Sequence, residues 1–421
     1  MKRKVLALAL AAAMTAGIFT GCKSEEAPQQ PATEQTGGDQ ANNGGDAASE
    51  EIKEQNLKMN ITIAETSTWM KAAEKLSADV EADTGGKVKI KVYPNEQLSG
   101  GNQSKGVEMV MSGATDVDIH SNIIYSVVDE RFSLLSLPFF FENEEDADAK
   151  LAGEGAEAIK KLMAEKGVQW LGFGESGMRQ ITNSKHPIKT VDDLKGLKIR
   201  VPGMKMYLDT FTAMGANPIS MNWSETFTAL QQGAVDGQEN PNDIIMTSAI
   251  DEVQKYITLW DYSYDCLLFG INKKLYDSYP ASLQQIFTDR GLEAANYQKG
   301  LIREQNQKAL DEMVARTGLE VYTPTPEERQ TFIDSTKDIV AKYRDIIGPE
   351  FFDPFTKVEE GAQLNATEPS TTDEQPTETE APATDEQPAE TEAPAADEQP
   401  AETETPAADE QPAETETPAA E

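Results

Sequence analysis

The sequence predicts an α/β protein whose amino-terminal part is built on a parallel sheet. Three observations carry that prediction. From Met59 to Ile119 the hydrophobic period switches repeatedly between 2 and about 3.6 residues. Glycines at Gly85, Gly86 and Gly113 mark the ends of the helical stretches. The resulting β-α-β-α-β order implies right-handed crossovers between parallel strands.

Taken in order, Met59-Asn60-Ile61-Thr62-Ile63-Ala64 alternates as a strand. Trp69, Ala73, Leu76 and Val80 then recur at helical spacing, and Thr84-Gly85-Gly86 stops that helix. Val88, Ile90 and Val92 share one face of a second strand. A second helix runs from about Ser104 through Val107, Val110 and Met111 to Gly113, and Asp116-Val117-Asp118-Ile119 is the third strand. Ligands of open α/β sheets bind beyond the carboxyl ends of the strands. That rule makes Thr66 and Ser67 candidate ligand contacts, with His120, Ser121 and Asn122 after the third strand. Trp69, Asn102 and Gln103 lie in the same region. For His120 a second reading stands beside the first, a satisfied histidine near a strand end. Leu134-Leu135-Ser136-Leu137-Pro138-Phe139-Phe140-Phe141 reads as core or inter-domain packing, since it is too short to cross a bilayer. A helix over 151–166 and a strand over 168–173 lead to Glu175-Ser176-Gly177, read as a hinge, and to Arg179, a second polar ligand contact.

The centre of the chain is a short strand in which Leu197, Ile199 and Val201 alternate with Lys198 and Arg200. Pro202 lacks a donor and closes it. Arg200 therefore sits at a carboxyl-terminal strand end, where its guanidinium can grip a carboxylate through two charge-assisted bonds. Thr190-Val191-Asp192-Asp193 has the form of a capping box. A helix over 206–214 ends at Gly215, a strand covers 217–221, and Ser224 is expected to cap a helix that stops at Gly233. Asn240 before Pro241 has the form of an N-cap opening a helix over 243–256. A strand over 263–272, a long helix over 282–317, a strand over 320–322 and a helix over 326–347 complete the pattern.

The segment from Met178 to Gln254 resembles a known family. Its signature is Arg179-Gln180-Ile181-Thr182-Asn183-Ser184-Lys185, then Asp193-Leu194-Lys195-Gly196-Leu197-Lys198-Ile199-Arg200-Val201-Pro202, then Gly215-Ala216-Asn217-Pro218. Ala229-Leu230-Gln231-Gln232-Gly233-Ala234-Val235-Asp236-Gly237-Gln238-Glu239-Asn240-Pro241 and Glu252-Val253-Gln254-Lys255-Tyr256 follow. These blocks, in this order, resemble the DctP-type solute-binding proteins of tripartite ATP-independent periplasmic (TRAP) transporters. The resemblance covers roughly 56–360. It implies a two-lobe, periplasmic-binding-protein-like fold with a hinge, discontinuous domains and one long helix spanning both. Lobe I would comprise 56–176 and 266–305, and lobe II 177–265 and 306–360. It also implies that Arg200 forms the main salt bridge to a small organic acid, that Asn240 is a further contact, and that Trp223 packs on the ligand. The ligand would pass to a membrane permease driven by an ion gradient, with no chemistry performed on it and no cofactor.

The stretch 23–54 and the tail 361–421 lack the apolar residues a core needs. Lys2, Arg3 and Lys4 precede the apolar run Val5 to Ala13, and Ala16-Gly17-Ile18-Phe19-Thr20-Gly21-Cys22 follows. This resembles a lipoprotein signal over 1–21, cleaved before Cys22, which would carry the lipid; Phe19 departs from the usual Leu. Residues 22–55 read as a disordered tether with a reach of order 30 Å. Residues 361–421 are an acidic tail in which Asp-Glu-Gln-Pro recurs every 12 residues from Asp373.

Of the net charge of −36, the stretch 358–421 supplies 20 acidic residues and no Lys or Arg. An acidic chain argues against a nucleic-acid partner, because phosphate binding needs a basic face. Two histidines and two cysteines leave little material for metal sites or triads, and Cys266 reads as a small buried hydrophobe. The expectation is a monomeric receptor, not an enzyme, exported and lipid-anchored at the outer face of the cell membrane. A sensor partner of a membrane receptor, or a surface protein acting through its repeat tail, would use the same chain differently.

Overall fold

Strand and helix alternation is realised as the side-chain pattern requires. A computed structural model of the protein describes residues 51–356. The signal sequence, Cys22, most of the tether and the repeat tail lie outside the described residues. The strands, in chain order, are β1 (Gln55–Ile61), β2 (Val88–Tyr93), β3 (Val117–Ser121), β4 (Val168–Met178), β5 (Gln180–Asn183), β6 (Lys198–Val201), β7 (Asn217–Ser220), β8 (Gly237–Asn240), β9 (Tyr256–Thr258), β10 (Tyr264–Asn272) and β11 (Glu320–Tyr322). In β1, Leu57, Met59 and Ile61 are buried while Lys58 is exposed, the alternation of a strand with one face on a core.

Two sheets result. The first has the order β2-β1-β3-β10-β4 and the second β11-β9-β5-β8-β6-β7. In the first, β1 pairs in parallel with β2 and β3, as the crossover pattern predicts. β10 enters between β3 and β4, antiparallel to both, and is buried along its whole length. β10 comes nearly 90 residues after β4 in the chain, so no local pattern announces that position.

The chain passes between the sheets three times. β4 runs straight through Glu175, Ser176 and Gly177, and the change of sheet falls one residue before β5, at Arg179. Gly177 has φ +109° there, and a Cβ on it would stand 2.7 Å from Asn306 Nδ2. The return is from β9 to β10. The third passage is the helix Ala281–Thr317, whose Leu283, Phe287, Ala294 and Ala295 join the core against the first sheet. Its Leu310 and Met313 join the core beneath the second. A third core links the two around Tyr207, Phe211, Trp260, Tyr262 and Tyr343, and takes in Leu134, Leu135 and Phe141 from the expected packing segment.

Local expectations held at the capping box Thr190/Asp193 and at the last helix, Pro326–Ile347, which the structure shows opened by a second capping box, Thr325/Glu328. Three expectations are corrected. Helix Trp223–Gln231 begins after Asn222, so Ser224 lies in its first turn and does not cap it. Asn240 ends β8, and Pro241 takes the N-cap position of the next helix. That helix is Asn242–Thr247 alone. Ala249 takes a left-handed φ of 55°, a short 3-10 turn follows, and β-branched Ile257 and Thr258 pair into the second sheet as β9.

Candidate ligand-binding site

Two arginines define the site, and burial treats them oppositely. Arg200, on β6 between β7 and β8, is 2 % exposed. Its Nε and Nη2 both donate to the Met221 carbonyl, at 3.1 and 2.6 Å, and its guanidinium lies 5.3 Å from the Trp223 ring. No carboxylate pairs with it among the described residues. Burial without a counter-ion, with Arg179 nearby, pulls it down to about 9; the more distant charge of Glu239 only partly offsets this.

Arg179 is equally buried but fully paired. Its Nε and Nη2 donate to the Glu239 carboxylate, Nη2 also donates to the Glu239 carbonyl at 2.7 Å, and Nη1 donates to Asp265. Burial alone would lower it, yet the charges of Glu239 and Asp265 hold it well above the usual arginine range. Tyr262 Oη donates to the same Glu239 carboxylate at 2.6 Å, and Ser121 Oγ donates to Asp265. Burial raises Asp265 against the pull of Arg179 and Ser121.

These groups surround a cavity of about 40 Å³. Thr62, Trp69 and Ser121 line it from the first sheet and its helices, and Arg200, Trp223 and Asn240 from the second. Asn240 Nδ2 is turned to Gln238 Oε1 at 2.7 Å. Two direct hydrogen bonds join residues 101–103 to the start of the Trp223 helix: Trp223 N donates to Gln103 Oε1 at 3.2 Å, and Ser224 Oγ donates to the Gly101 carbonyl at 3.5 Å. A water needs roughly 10–15 Å³ of such space, so the cavity as it stands has room for a few waters and not for a larger molecule.

Of the expected contacts, Arg200, Arg179, Asn240, Trp223 and Ser121 meet at this cavity. Four do not. His120 is fully buried off the cavity, with Nδ1 2.9 Å from Asp118 Oδ2 and Nε2 2.8 Å from Glu96 Oε1. Burial would lower its pKa, but Glu96 and Asp118 outweigh it and push His120 up to about 10. Asn122 is spent on the backbone: its Nδ2 donates to the Phe132 carbonyl and Ser136 Oγ, and its Oδ1 accepts from Cys266 N. Ser67 caps the helix Thr68–Asp83, and Thr66 is exposed beside it. Cys266 is buried, its thiol pushed up by desolvation.

Sequence reasoning missed Asp265 and Ser176. Asp265 carried a signal, being a lone carboxylate inside an apolar strand, which a buried chain tolerates only when the charge is paired. Ser176 offered none beyond its place in the hinge segment.

Residues 59–345 match the family model DctP, bacterial extracellular solute-binding protein, family 7. The chain belongs to the DctP family. The family binds solutes for transport and is not a family of enzymes. One relative of this DctP-family chain is the 2,3-diketo-L-gulonate-binding periplasmic protein YiaO of Escherichia coli. It is 32 % identical over 311 residues, covering 74 % of this chain and 90 % of the relative. Among solved structures, a TRAP periplasmic solute binding protein from Ralstonia eutropha with bound (S)-2-acetolactate is similar with a TM-score of 0.69 and 32 % identity. The match covers 71 % of this chain and 97 % of that one. The sugar acid binding protein DctPAm from Advenella mimigardefordensis, in complex with galactonate, matches with a TM-score of 0.69 and 31 % identity, over 72 % and 97 % of the two chains. The DctP-family architecture is thus the two-lobe one, and no helix among the described residues is long and apolar enough to cross a membrane.

Proposed function

We propose that the protein captures a small organic acid as its carboxylate in the cavity between the two lobes and delivers it to an ion-gradient-driven TRAP permease, tethered through lipid on Cys22. The observation that carries this reading is Arg200, a buried guanidinium with no carboxylate partner among the described residues. A ligand carboxylate would supply the missing charge, with Trp223 packed against its carbon skeleton. The change of sheet at Arg179, at the β9–β10 return and along the helix Ala281–Thr317 supports lobes close to the boundaries read from the sequence. The sugar-acid and keto-acid complexes of the relatives support the ligand class.

Calorimetric titration of the chain carrying Cys22→Ser, against carboxylates and neutral sugars, tests the binding step. Acids are expected to bind, Arg200→Ala to abolish binding, and Arg200→Lys to weaken it, because an ammonium cannot copy the planar fork. Neutral sugars binding alone, or acids binding unchanged to Arg200→Ala, would sink the proposal. Membrane fractionation of the wild type and Cys22→Ser tests the anchor: the variant should leave the membrane pellet.

A further inference from the structure

Two residues that line the cavity carry buried donors with nothing to bond. Trp69 Nε1 and Ser176 Oγ have no hydrogen-bond partner, Trp69 being 3 % exposed and Ser176 0 %. Of the buried polar atoms left without a partner among the described residues, these two belong to residues that line the cavity. They come from the helix Thr68–Asp83 and from β4, on the side of the first sheet, whereas Arg200 comes from the second. Buried donors are ordinarily satisfied, so two orphans at one cavity mark places where a ligand atom accepts.

The charges of the wall narrow that atom's nature. Arg200 is the unpaired cation of the cavity; Arg179 is already held by Glu239 and Asp265. One ligand carboxylate therefore finds a partner. A second carboxylate would meet the Asp265 carboxyl, which lines the same cavity, with no free cation to balance it. A neutral oxygen meets none of that repulsion. A keto or hydroxyl oxygen accepts from the Trp69 N–H and the Ser176 O–H, and a hydroxyl can also donate to Asp265. Ile63, Ile123, Ile124 and Ile244 supply an apolar wall for the carbon skeleton.

Resting on the carboxylate reading above, we infer that this site selects short monocarboxylic acids bearing a hydroxyl or keto oxygen, read by Trp69, Ser176 and Asp265, and discriminates against plain dicarboxylates. A site built to hydrogen-bond a ligand oxygen rejects the analogue that lacks it, because its own polar groups are then left unpaired.

The test is calorimetry on the Cys22→Ser chain with matched four-carbon acids: butanoate, 2-hydroxybutanoate, 2-oxobutanoate, 2,3-dihydroxybutanoate and succinate. The oxygenated monoacids are expected to bind about tenfold or more tightly than butanoate and succinate. Trp69→Phe and Ser176→Ala keep the shape of the wall. Each should weaken the oxygenated acids about tenfold, leave butanoate unchanged, and raise the melting temperature of the empty protein by removing an orphan donor. Succinate binding as tightly as the hydroxy acids, or both variants binding them at wild-type affinity, would overturn the inference and leave the carboxylate reading intact. Binding that survives Arg200→Ala, or no binding by any acid, would overturn both.

Discussion

Arg200 and Arg179 show how far one residue type can be put to two uses. Both are buried, both lie on strands of the second sheet or at its edge, and only the neighbours differ. Arg179 is a fastener, since breaking a buried pair by removing one partner costs roughly 3–5 kcal/mol. Arg200 has no carboxylate partner among the described residues and donates only to the Met221 carbonyl. The sequence could mark Arg200 by its place at a strand end and Arg179 by its place after the hinge segment, yet it could not tell which would be paired, because Glu239 and Asp265 lie 60 and 86 positions from Arg179. Of the two readings of His120 the structure favours the satisfied histidine, and the sequence could not choose it because Glu96, the carboxylate that claims it, is 24 residues away. Asp243 offers a test at this scale. It is fully buried, and burial raises it to about 6 from 3.8, against the pull of Lys71 and the Thr68 hydroxyl. The folded state then holds this proton to higher pH than the unfolded state does. Stability therefore falls as pH rises from about 4 to about 6, by an order of 3 kcal/mol from this group, and stays lower above that. Denaturant unfolding across that window should show Asp243→Asn losing less stability than the wild type. Parallel pH profiles would refute the assignment.

At the scale of elements, the long helix Ala281–Thr317 and strand β4 approach too closely for side chains. A Cβ on Gly291 would stand 2.6 Å from Leu171 Cβ and 3.0 Å from the Leu171 carbonyl, and a Cβ on Gly172 would stand 2.6 Å from Ala295 Cβ. Between these contacts and the helix end, Gln298 donates to the Glu175 carbonyl and accepts from the Glu175 N–H, and Arg303 pairs with the Glu175 carboxylate. The helix thus grips the strand where the chain is about to change sheets. Gly291→Ala is expected to destabilise by about 1–3 kcal/mol through overpacking. Gly300→Ala, in the same helix with open space around it, should stabilise by up to about 1 kcal/mol through helix propensity. Urea unfolding of the two variants should move in opposite directions, and a shared direction would mean the close approach is unimportant. Element existence was legible where the pattern was long and local, as in this helix and in β1 to β3. It was illegible at β9, whose first residue, Tyr256, was taken as the end of a helix over 243–256. β10 was legible as a strand, but its place between β3 and β4 was not, because its partners are distant in the chain.

Across the whole molecule, three passages of the chain join two sheets around one small polar cavity. The Trp223 N–H to Gln103 Oε1 bond joins the two sides of that cavity. Removing it with Gln103→Ala should raise the dissociation constant of a bound acid about 2- to 12-fold, the worth of one such bond. An unchanged constant from calorimetry would mean that binding does not depend on it. Family membership was readable from ordered blocks of sequence, but the size of the cavity and its orphan donors were not, because they arise only when both sides meet. The aromatic residues there have a further consequence. The chain has 4 tryptophans, and Trp69 and Trp223 both line the cavity, the latter beneath the Arg200 cation. Trp170 packs against Phe173 with the rings tilted at 52°, and Trp260 lies in the aromatic cluster of the third core. Indole emission responds to charge and solvent at the ring, so two of the four tryptophans would report a ligand bound as proposed. The receptor carries its own optical gauge of occupancy, with no label attached.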